Sequence, residues 1–241
     1  MTANIYWQSQ TISNVPGDLD WLSLEEQAVY TQFRFPKRQK EWLSGRYVAK
    51  TLLKTVNSSV ESLRFDEMTV RNKPDGAPFI VCGGERLPGS LSLSHRGCMA
   101  TAAWCDSDKF RIGIDLEAIE DKSKGFIEDY FTESEAAAVL NLPTDMVHLA
   151  ASLIWSGKEA ILKALQIGLR ADTRAMEIEV PAFSNLSSGN AWSRMVVNRY
   201  TEVQGGMNLF WRLTGDYVIT LAIMGNRLSQ QVPAAAIIQV C

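Results

Sequence analysis

The chain has 241 residues, of which 46% are hydrophobic and 21% charged, values typical of a folded protein that can bury a core. Its 24 basic and 27 acidic residues give a formal net charge of −3, which argues against a surface built for nucleic-acid phosphates. The sequence shows no signal peptide, no membrane-spanning run, no Cys/His metal spacing and no paired-cysteine motif. We therefore expect a cytoplasmic protein without nucleic-acid or membrane partners.

The first half of the chain is predicted to mix strands and helices. In order, we expect a strand, two helices, a loop and two strands, at Ile5–Trp7, Leu22–Phe33, Arg38–Val56, Asn72–Pro78, Leu91–Ser94 and Cys98–Trp104. Ser23 suits the N-cap of the first helix, because Glu25 and Glu26 follow in its first turn. The loop is predicted from its density of turn-forming residues.

The second half repeats this mixture. A strand, two helices and three strands are predicted at Arg111–Glu117, Thr132–Leu140, Asp145–Leu165, Met176–Val180, Asn208–Leu213 and Tyr217–Met224. Thr132 followed by Glu135 has the spacing of a capping box.

Two short similarities suggest an internal duplication. Ser44-Gly45-Arg46 in one long helix resembles Ser156-Gly157-Lys158 in the other, and the strand Cys98–Ala103 resembles Tyr217–Ala222, with threonine at the same step. Matches this short also arise by chance. They fit two similar α+β lobes of about equal length with a site between them.

The segment Gly113-Ile114-Asp115-Leu116-Glu117 carries two carboxylates on one face of a predicted strand, because side chains two residues apart project together. Ile114 and Leu116 would face the core. Neighbouring carboxylates repel unless a cation or a proton holds them, and oxygen ligands suit Mg²⁺. The alternative is a solvated strand end with two ordinary surface acids.

The segment from Trp155 to Lys163 (WSGKEAILK) places Glu159 and Lys163 four residues apart on one helix face. The plain interpretation is a surface ion pair. The functional interpretation makes Glu159 a third carboxylate for a metal, with Lys163 reaching a phosphate.

A third segment, Ser92 to Gly97 (SLSHRG), brings serine, histidine and arginine to a strand end, where they can donate to a phosphate. A histidine satisfied within its own turn explains the segment equally well. A Ser–His nucleophile is disfavoured, since no G-x-S-x-G elbow is present.

Taken in order, these segments resemble the Sfp-type 4′-phosphopantetheinyl transferases over most of the chain. The matching segments are Phe33-Arg34-Phe35 with Gly45-Arg46 and Lys50, Ser92–His95, Gly113–Glu117, Phe131–Glu135 and Trp155–Lys163. The resemblance implies an α+β pseudo-dimer of two similar lobes, residues 1–110 and 111–241, with the site at the lobe interface. It also implies Mg²⁺-dependent transfer of phosphopantetheine from coenzyme A to a serine of an apo acyl or peptidyl carrier protein, with release of 3′,5′-ADP.

The resemblance assigns roles by position. Asp115, Glu117 and Glu159 are implied metal ligands, and Glu159, Lys163 and Asp115 are implied to be catalytic. The implied contacts to coenzyme A are Arg46, Ser94, His95, Lys158 and Lys163, with Lys158 also fixing the helix that carries Glu159. A monomer is expected from the pseudo-dimeric layout.

Three features depart from the family pattern, one of which is that the stretch 27–32 (QAVYTQ) lacks the phosphate-binding lysine or arginine that the family often carries before Phe33. Ala77 stands where the family has the lysine of a G-K-P turn, so Arg71 or Lys73 is expected to supply that charge. Gln166 replaces the first glycine of a K-x-x-G-x-G-L segment that continues to Gly168 and Leu169. Two other functions stay open: a nucleotidyl or acyl-CoA transferase, for which three carboxylates would be unexplained, and a scaffold that binds carrier proteins without transfer.

Overall fold

A computed structural model describes residues 4–167, 171–183, 191–200, 206–225 and 237–240. The chain divides into two compact units, residues 1–108 with 235–241 and residues 109–234. The boundary was predicted at 110, and the last residues were predicted to belong to the second lobe. They join the first unit instead, because the strand Ile237–Gln239 pairs in parallel with Ile5–Thr11.

The first unit contains two helices and seven strands among its described residues. These are β1 (Ile5–Thr11), α1 (Leu24–Tyr30), α2 (Pro36–Val56), β2 (Met68–Asn72), β3 (Pro78–Cys82), β4 (Glu85–Arg86), β5 (Ser90–Arg96), β6 (Met99–Cys105) and β13 (Ile237–Gln239). One sheet has the strand order β13-β1-β6-β5 and a smaller one the order β2-β3-β4. The buried face of α2, with Val48, Leu52 and Leu53, packs in one apolar cluster with residues of β5 and β6.

The second unit contains three helices and six strands among its described residues. These are β7 (Phe110–Ala118), α3 (Lys124–Tyr130), α4 (Glu133–Leu140), α5 (Thr144–Leu165), β8 (Met176–Ile178), β9 (Ser193–Met195), β10 (Val197–Tyr200), β11 (Met207–Thr214) and β12 (Tyr217–Gly225). The main sheet has the order β7-β12-β11-β9, and β8 pairs with β10. Helix α5 lies on β7 and β12, and its apolar face supplies more buried core residues than any other element of the unit.

Both units confirm the predicted α+β class, and the predicted elements are present with ends moved by a few residues. Ser23 and Thr132 cap α1 and α4, each within a complete capping box. Seven of the short elements named above were not predicted, because none shows a clear periodic pattern: the helix α3 and the strands β2, β3, β4, β9, β10 and β13. The predicted Gly168 and Leu169 segment lies outside the described residues. Within the described part of the chain, no helix has both the length and the apolar character needed to cross a bilayer.

The two units share one arrangement of elements. In each, an N-capped short helix precedes a long helix and a short strand, and a hairpin (β5–β6 or β11–β12) continues a sheet begun by β1 or β7. The two threonines of the second predicted similarity, Thr101 and Thr220, both lie on an inner strand of their four-stranded sheet. The first predicted similarity paired Arg46 with Lys158, and this alignment is wrong. Judged by its contacts, the residue equivalent to Lys158 is Lys50.

Candidate functional site

Asp115 and Glu117 lie on β7, on the sheet face that α5 covers. Asp115 is directly opposite Thr220 of β12, and Glu117 is opposite Val218, which belongs to the core beneath α5. Asp115 is only 4% exposed, so the alternative of two solvated surface acids is wrong for this residue. Ile114 and Leu116 are buried as predicted, but on the opposite face from the core under α5.

Gly113 brings α5 close to this strand. A Cβ built on Gly113 would lie 2.0 Å from the carbonyl oxygen of Ala160, 2.5 Å from the amide nitrogen of Ala164 and 2.9 Å from the Cβ of Lys163. No other residue type fits against the helix backbone here, which gives the glycine of G-I-D-L-E a packing reason. The close approach puts Glu159 and Lys163 of α5 beside the acids of β7.

Four polar residues form a stripe along α5 toward β7 and β12, at positions 152, 156, 159 and 163. The Ser152 hydroxyl donates to the carbonyl of Ala118 at 3.0 Å. The Ser156 and Thr220 hydroxyls are 2.8 Å apart, and Thr220 also donates to the Ser156 carbonyl at 2.8 Å. These bonds satisfy polar groups on a buried helix face and hold α5 in register with the sheet.

Lys163 and Asp115 form the central ion pair of the site. The Lys163 ammonium donates to Asp115 Oδ1 at 2.7 Å and to the carbonyl of Ile114 at 3.1 Å. The plain interpretation of Lys163, a surface pair with Glu159 on its own helix, is therefore wrong. The lysine instead pairs with a buried carboxylate 48 residues away in sequence.

Glu159 has an altered acidity in this setting. Burial raises the pKa of its carboxyl to about 7, and the negative charge of Asp115 acts in the same direction. The Lys163 ammonium opposes the rise in pKa, and Glu117 adds to it. One carboxyl oxygen, Oε1, is buried without a hydrogen-bond partner among the described residues. A carboxylate with such a pKa can accept a proton near neutral pH.

Lys122 is a member of the site that the sequence did not indicate. Its ammonium lies 3.5 Å from Glu117 Oε2 and 3.4 Å from Glu120 Oε1, and its side chain is only 9% exposed. No spacing or periodicity marked this residue, since it follows β7 in an irregular segment. Each of the two acids on β7 therefore has a lysine as its counter-ion.

The three implied metal ligands have the right donor chemistry for Mg²⁺, a hard cation that prefers oxygen ligands. Burial and the charge of Asp115 raise the pKa of Glu159, and its orphaned Oε1 would gain a partner from a cation. However, no group of three His, Cys, Asp or Glu side chains within the described ranges is gathered closely enough to hold a metal. The residues fit the ion chemically without forming a preassembled site.

Lys158 occupies a different environment from Lys163. Its side chain is fully buried, and its ammonium lies 2.8 Å from Glu135 Oε2, 2.7 Å from the Thr173 carbonyl and 2.9 Å from the Met176 carbonyl. Burial lowers its pKa, and the Glu135 carboxylate opposes that change. This position fits the implied role of fixing the helix and does not fit the implied direct contact with coenzyme A.

Arg46 of the first unit lies on α2 with its guanidinium stacked on Trp42, 3.6 Å from the ring centroid. It donates to the side chain of Asn72 at 3.3 Å, so α2 meets the end of β2. Burial lowers the pKa of Arg46 to about 10, and Glu26 opposes that change. The guanidinium is stacked and partly bonded, which restricts its orientation.

Arg71 and Lys73 flank the turn that contains Ala77. Arg71 makes a two-pronged ion pair with Glu25 of α1, with its Nε 2.9 Å from each carboxylate oxygen. Lys73 closes the turn through its backbone, whose N–H donates to the Ala77 carbonyl at 2.9 Å. Arg71, one of the two candidates for the missing lysine, is thus held by a carboxylate of α1.

Ser94 and His95 project from opposite faces of β5, because neighbouring strand residues alternate. His95 is opposite Ala100 and follows Leu91 and Leu93 along the face that packs under α2. Ser94 is on the other face, opposite Thr101. A ligand that lies on one face of this sheet would meet only one of the two side chains.

Fold and site together define the class: a duplicated α+β protein whose second unit holds a carboxylate–lysine cluster between one strand and one helix. Residues 111–222, which contain this cluster, match the family model described as the 4′-phosphopantetheinyl transferase superfamily. Over these residues the chain is similar to the superfamily, and curated relatives that bear the name phosphopantetheinyl transferase match as well. The resemblance noted from the motifs is thereby confirmed.

Two curated relatives illustrate the similarity. The chain is 24% identical over 193 residues to an L-aminoadipate-semialdehyde dehydrogenase-phosphopantetheinyl transferase of Xenopus laevis, covering 73% of this chain and 62% of the relative. It is 24% identical over 150 residues to the 4′-phosphopantetheinyl transferase psf-1 of Bacillus pumilus, covering 62% and 60% respectively. The chain thus spans about three fifths of the length of these relatives.

A solved structure of a holo-(acyl-carrier-protein) synthase from Bacillus anthracis, in complex with CoA (3′,5′-ADP), is also similar. It is 22% identical to this chain, covers 44% of it, and is itself covered to 96%, with a TM-score of 0.37.

Proposed function

We propose that this chain is an enzyme that transfers 4′-phosphopantetheine from coenzyme A to a serine of an apo carrier protein, releasing 3′,5′-ADP. The observation that carries the proposal is the cluster of Asp115, Glu159 and Lys163, in which a buried acid pairs with a lysine beside a carboxyl of raised pKa. The matching relatives bear the name phosphopantetheinyl transferase, which supports the same activity here.

In the proposed reaction the serine hydroxyl attacks the β-phosphorus of coenzyme A. A new bond forms between the serine oxygen and phosphorus, and the bond from that phosphorus to the oxygen of the leaving 3′,5′-ADP breaks. Glu159 accepts the serine proton; in the metal-free protein, burial raises the pKa of its carboxyl to about 7. Transfer of this kind depends chiefly on positioning and on neutralising charge.

Lys163 supplies positive charge to the pyrophosphate in this scheme. Its ammonium is part-buried and forms a hydrogen bond with Asp115. Asp115, Glu117 and Glu159 would hold Mg²⁺, which when bound supplies charge neutralisation to phosphate oxygens. The nucleotide end is assigned by resemblance to Arg46, Ser94 and His95, with Arg71 or Lys73 as the replacement for the missing lysine.

The test is intact-mass spectrometry of a panel of apo carrier proteins after incubation with the chain, coenzyme A and Mg²⁺. We expect a gain of one phosphopantetheine group, abolished by EDTA and by replacing the carrier's serine with alanine. Glu159→Gln should bind coenzyme A but turn over about 10²- to 10⁴-fold more slowly, the typical value of a general base. Glu61→Gln, an exposed acid on the first unit, is the matched control and should behave as wild type.

Two outcomes would contradict the proposal. Near-normal turnover by Glu159→Gln would remove the assigned base while leaving the activity in place. Intact binding of coenzyme A with no transfer to any carrier would favour the scaffold function instead.

A further inference from the structure

The second unit contains a buried polar network that the proposed chemistry does not use. The Glu135 carboxylate, in the first turn of α4, accepts from the backbone N–H of Thr132 and of Ile178, both at 2.8 Å. The Lys158 ammonium of α5 lies 2.8 Å from the same carboxylate. The Glu135 side chain is 1% exposed and the Lys158 side chain 0%. We call this set the Glu135–Lys158 latch.

The latch is saturated with hydrogen bonds. Glu135 accepts from three N–H groups, and Lys158 donates to the carbonyls of Thr173 and Met176 as well as to the acid. A buried ion pair is retained without large cost only when its remaining valences are satisfied in this way. The network connects four segments of the second unit. These are the start of α4, the helix α5, the turn at Thr173–Ala175 and the strand β8.

The first unit carries a matching network, which differs in one acceptor: Lys50 donates to the Trp21 carbonyl, whereas Lys158 donates to the Met176 carbonyl. Glu26, at the same capping-box position of α1, accepts from Val70 N–H at 2.9 Å, and its partner is Lys50 of α2. The Lys50 ammonium also donates to the carbonyl of Phe65, which begins the turn equivalent to Thr173–Ala175. Both pairs are fully buried, at 0% and 2% exposure in the first unit.

The residue after the buried lysine differs between the two copies. Lys158 is followed by Glu159, whereas Lys50 is followed by Thr51, whose hydroxyl donates to the Tyr47 carbonyl of its own helix. Successive residues of a helix are about 100° apart around its axis, so fixing Lys158 also fixes the direction of Glu159. Across the helix, the contact of Gly113 with Ala160 and Ala164 provides the opposing support.

From this geometry we infer that Glu135 is a positioning residue, which acts through Lys158 to fix the rotation of α5 and hence the place of Glu159 beside Asp115. The inference rests on the proposed function for its catalytic consequence. The copy in the first unit supplies a control that has the same chemistry and burial but no adjacent acid.

The experiment compares Glu135→Gln with Glu26→Gln. Each substitution removes one charge from an equivalent buried pair, so both should lower the melting temperature by similar amounts. Only Glu135→Gln should lower kcat, by about 10- to 100-fold, with KM for coenzyme A changed less than about twofold. A role in stability alone would not produce this difference between kcat and KM.

A second variant covers the case in which Glu135→Gln does not fold. Glu135→Gln with Lys158→Gln replaces the ion pair by two neutral amides, which still offer an acceptor to the backbone N–H groups of Thr132 and Ile178 and a donor to the carbonyls of Thr173 and Met176. It should remain folded and still show the lowered kcat. A kcat equal to that of wild type, or equal losses in the Glu135 and Glu26 variants, would overturn the inference.

Amide hydrogen exchange, measured on the folded proteins, separates this inference from the proposed function. Glu135→Gln should speed exchange in peptides that cover residues 156–163, and Glu26→Gln should leave these peptides unchanged. If the wild-type chain transfers nothing, the proposed function fails. The hydrogen-exchange measurement alone then tests whether the latch holds α5 in place. Unchanged protection of residues 156–163 in Glu135→Gln would then overturn the inference.

Discussion

The contact of Gly113 with α5 makes Gly113→Ala a sharp test of how the site is assembled. The added Cβ would lie 2.0 Å from the Ala160 carbonyl oxygen, whereas ordinary contacts begin at 3.4 Å, so the helix must retreat by about 1.4 Å. The obstructing atoms belong mostly to backbone and cannot rotate away. Overpacking of this kind costs about 1–3 kcal/mol, or a fall in melting temperature of about 2–12 °C for a chain of this length.

The same displacement would separate Lys163 and Glu159 from Asp115. A shift of about 1 Å in catalytic groups costs about 100-fold in rate, so kcat should fall far more than the loss of stability explains. Thermal unfolding and carrier modification, measured on the same preparation, give both quantities.

Gly45→Ala is the matched control for this variant, because a Cβ on this helical glycine of α2 meets only Leu93 Cδ1, at 3.8 Å. It should keep its rate and its melting temperature or gain slightly in stability. A Gly113→Ala protein with wild-type melting temperature and kcat would refute the argument that this glycine sets the distance between β7 and α5.

Three further changes test separate parts of the structure. Because the folded-state pKa of Glu159 is raised from 4.5 to about 7, its contribution to the free energy of unfolding is complete below pH 4.5 and is lost as pH rises through about 7. In metal-free protein, Glu159→Gln should therefore gain stability relative to wild type across this range in urea titrations; parallel curves would contradict the assignment. Thr132→Ala removes a capping box and a bond to Glu177, and should lower the unfolding free energy by about 1 kcal/mol or more, compared with Ser123→Ala, which removes a simple cap of α3. Gln166 has a left-handed φ of 63° at the end of α5, so Gln166→Gly should raise the unfolding free energy by up to about 1 kcal/mol; an unchanged denaturation midpoint would show that the side chain offsets the strain.

The sequence by itself determined the local elements and the list of candidate groups. The helices α2 and α5, the strand β7, the N-cap Ser23 and the capping box of Thr132 and Glu135 follow from periodicity and cap chemistry, which act over a few residues. The order of motifs from Ser92 to Lys163 was enough to indicate a resemblance to the superfamily, and the match over residues 111–222 confirms that resemblance.

Only the tertiary structure decided which polar side chain meets which. Lys158 and Lys163 lie five residues apart on one helix, and no local pattern separates them, yet one pairs with Glu135 and the other with Asp115. The partner acids lie 23 and 48 residues away from their lysines in sequence, beyond the reach of periodicity. Capping spacing identified Glu135 as a cap, but its role as the acceptor for a buried lysine depends on how α4, α5 and β8 pack. Burial makes such pairings obligatory, because an ion removed from water must find its counter-charge within the fold.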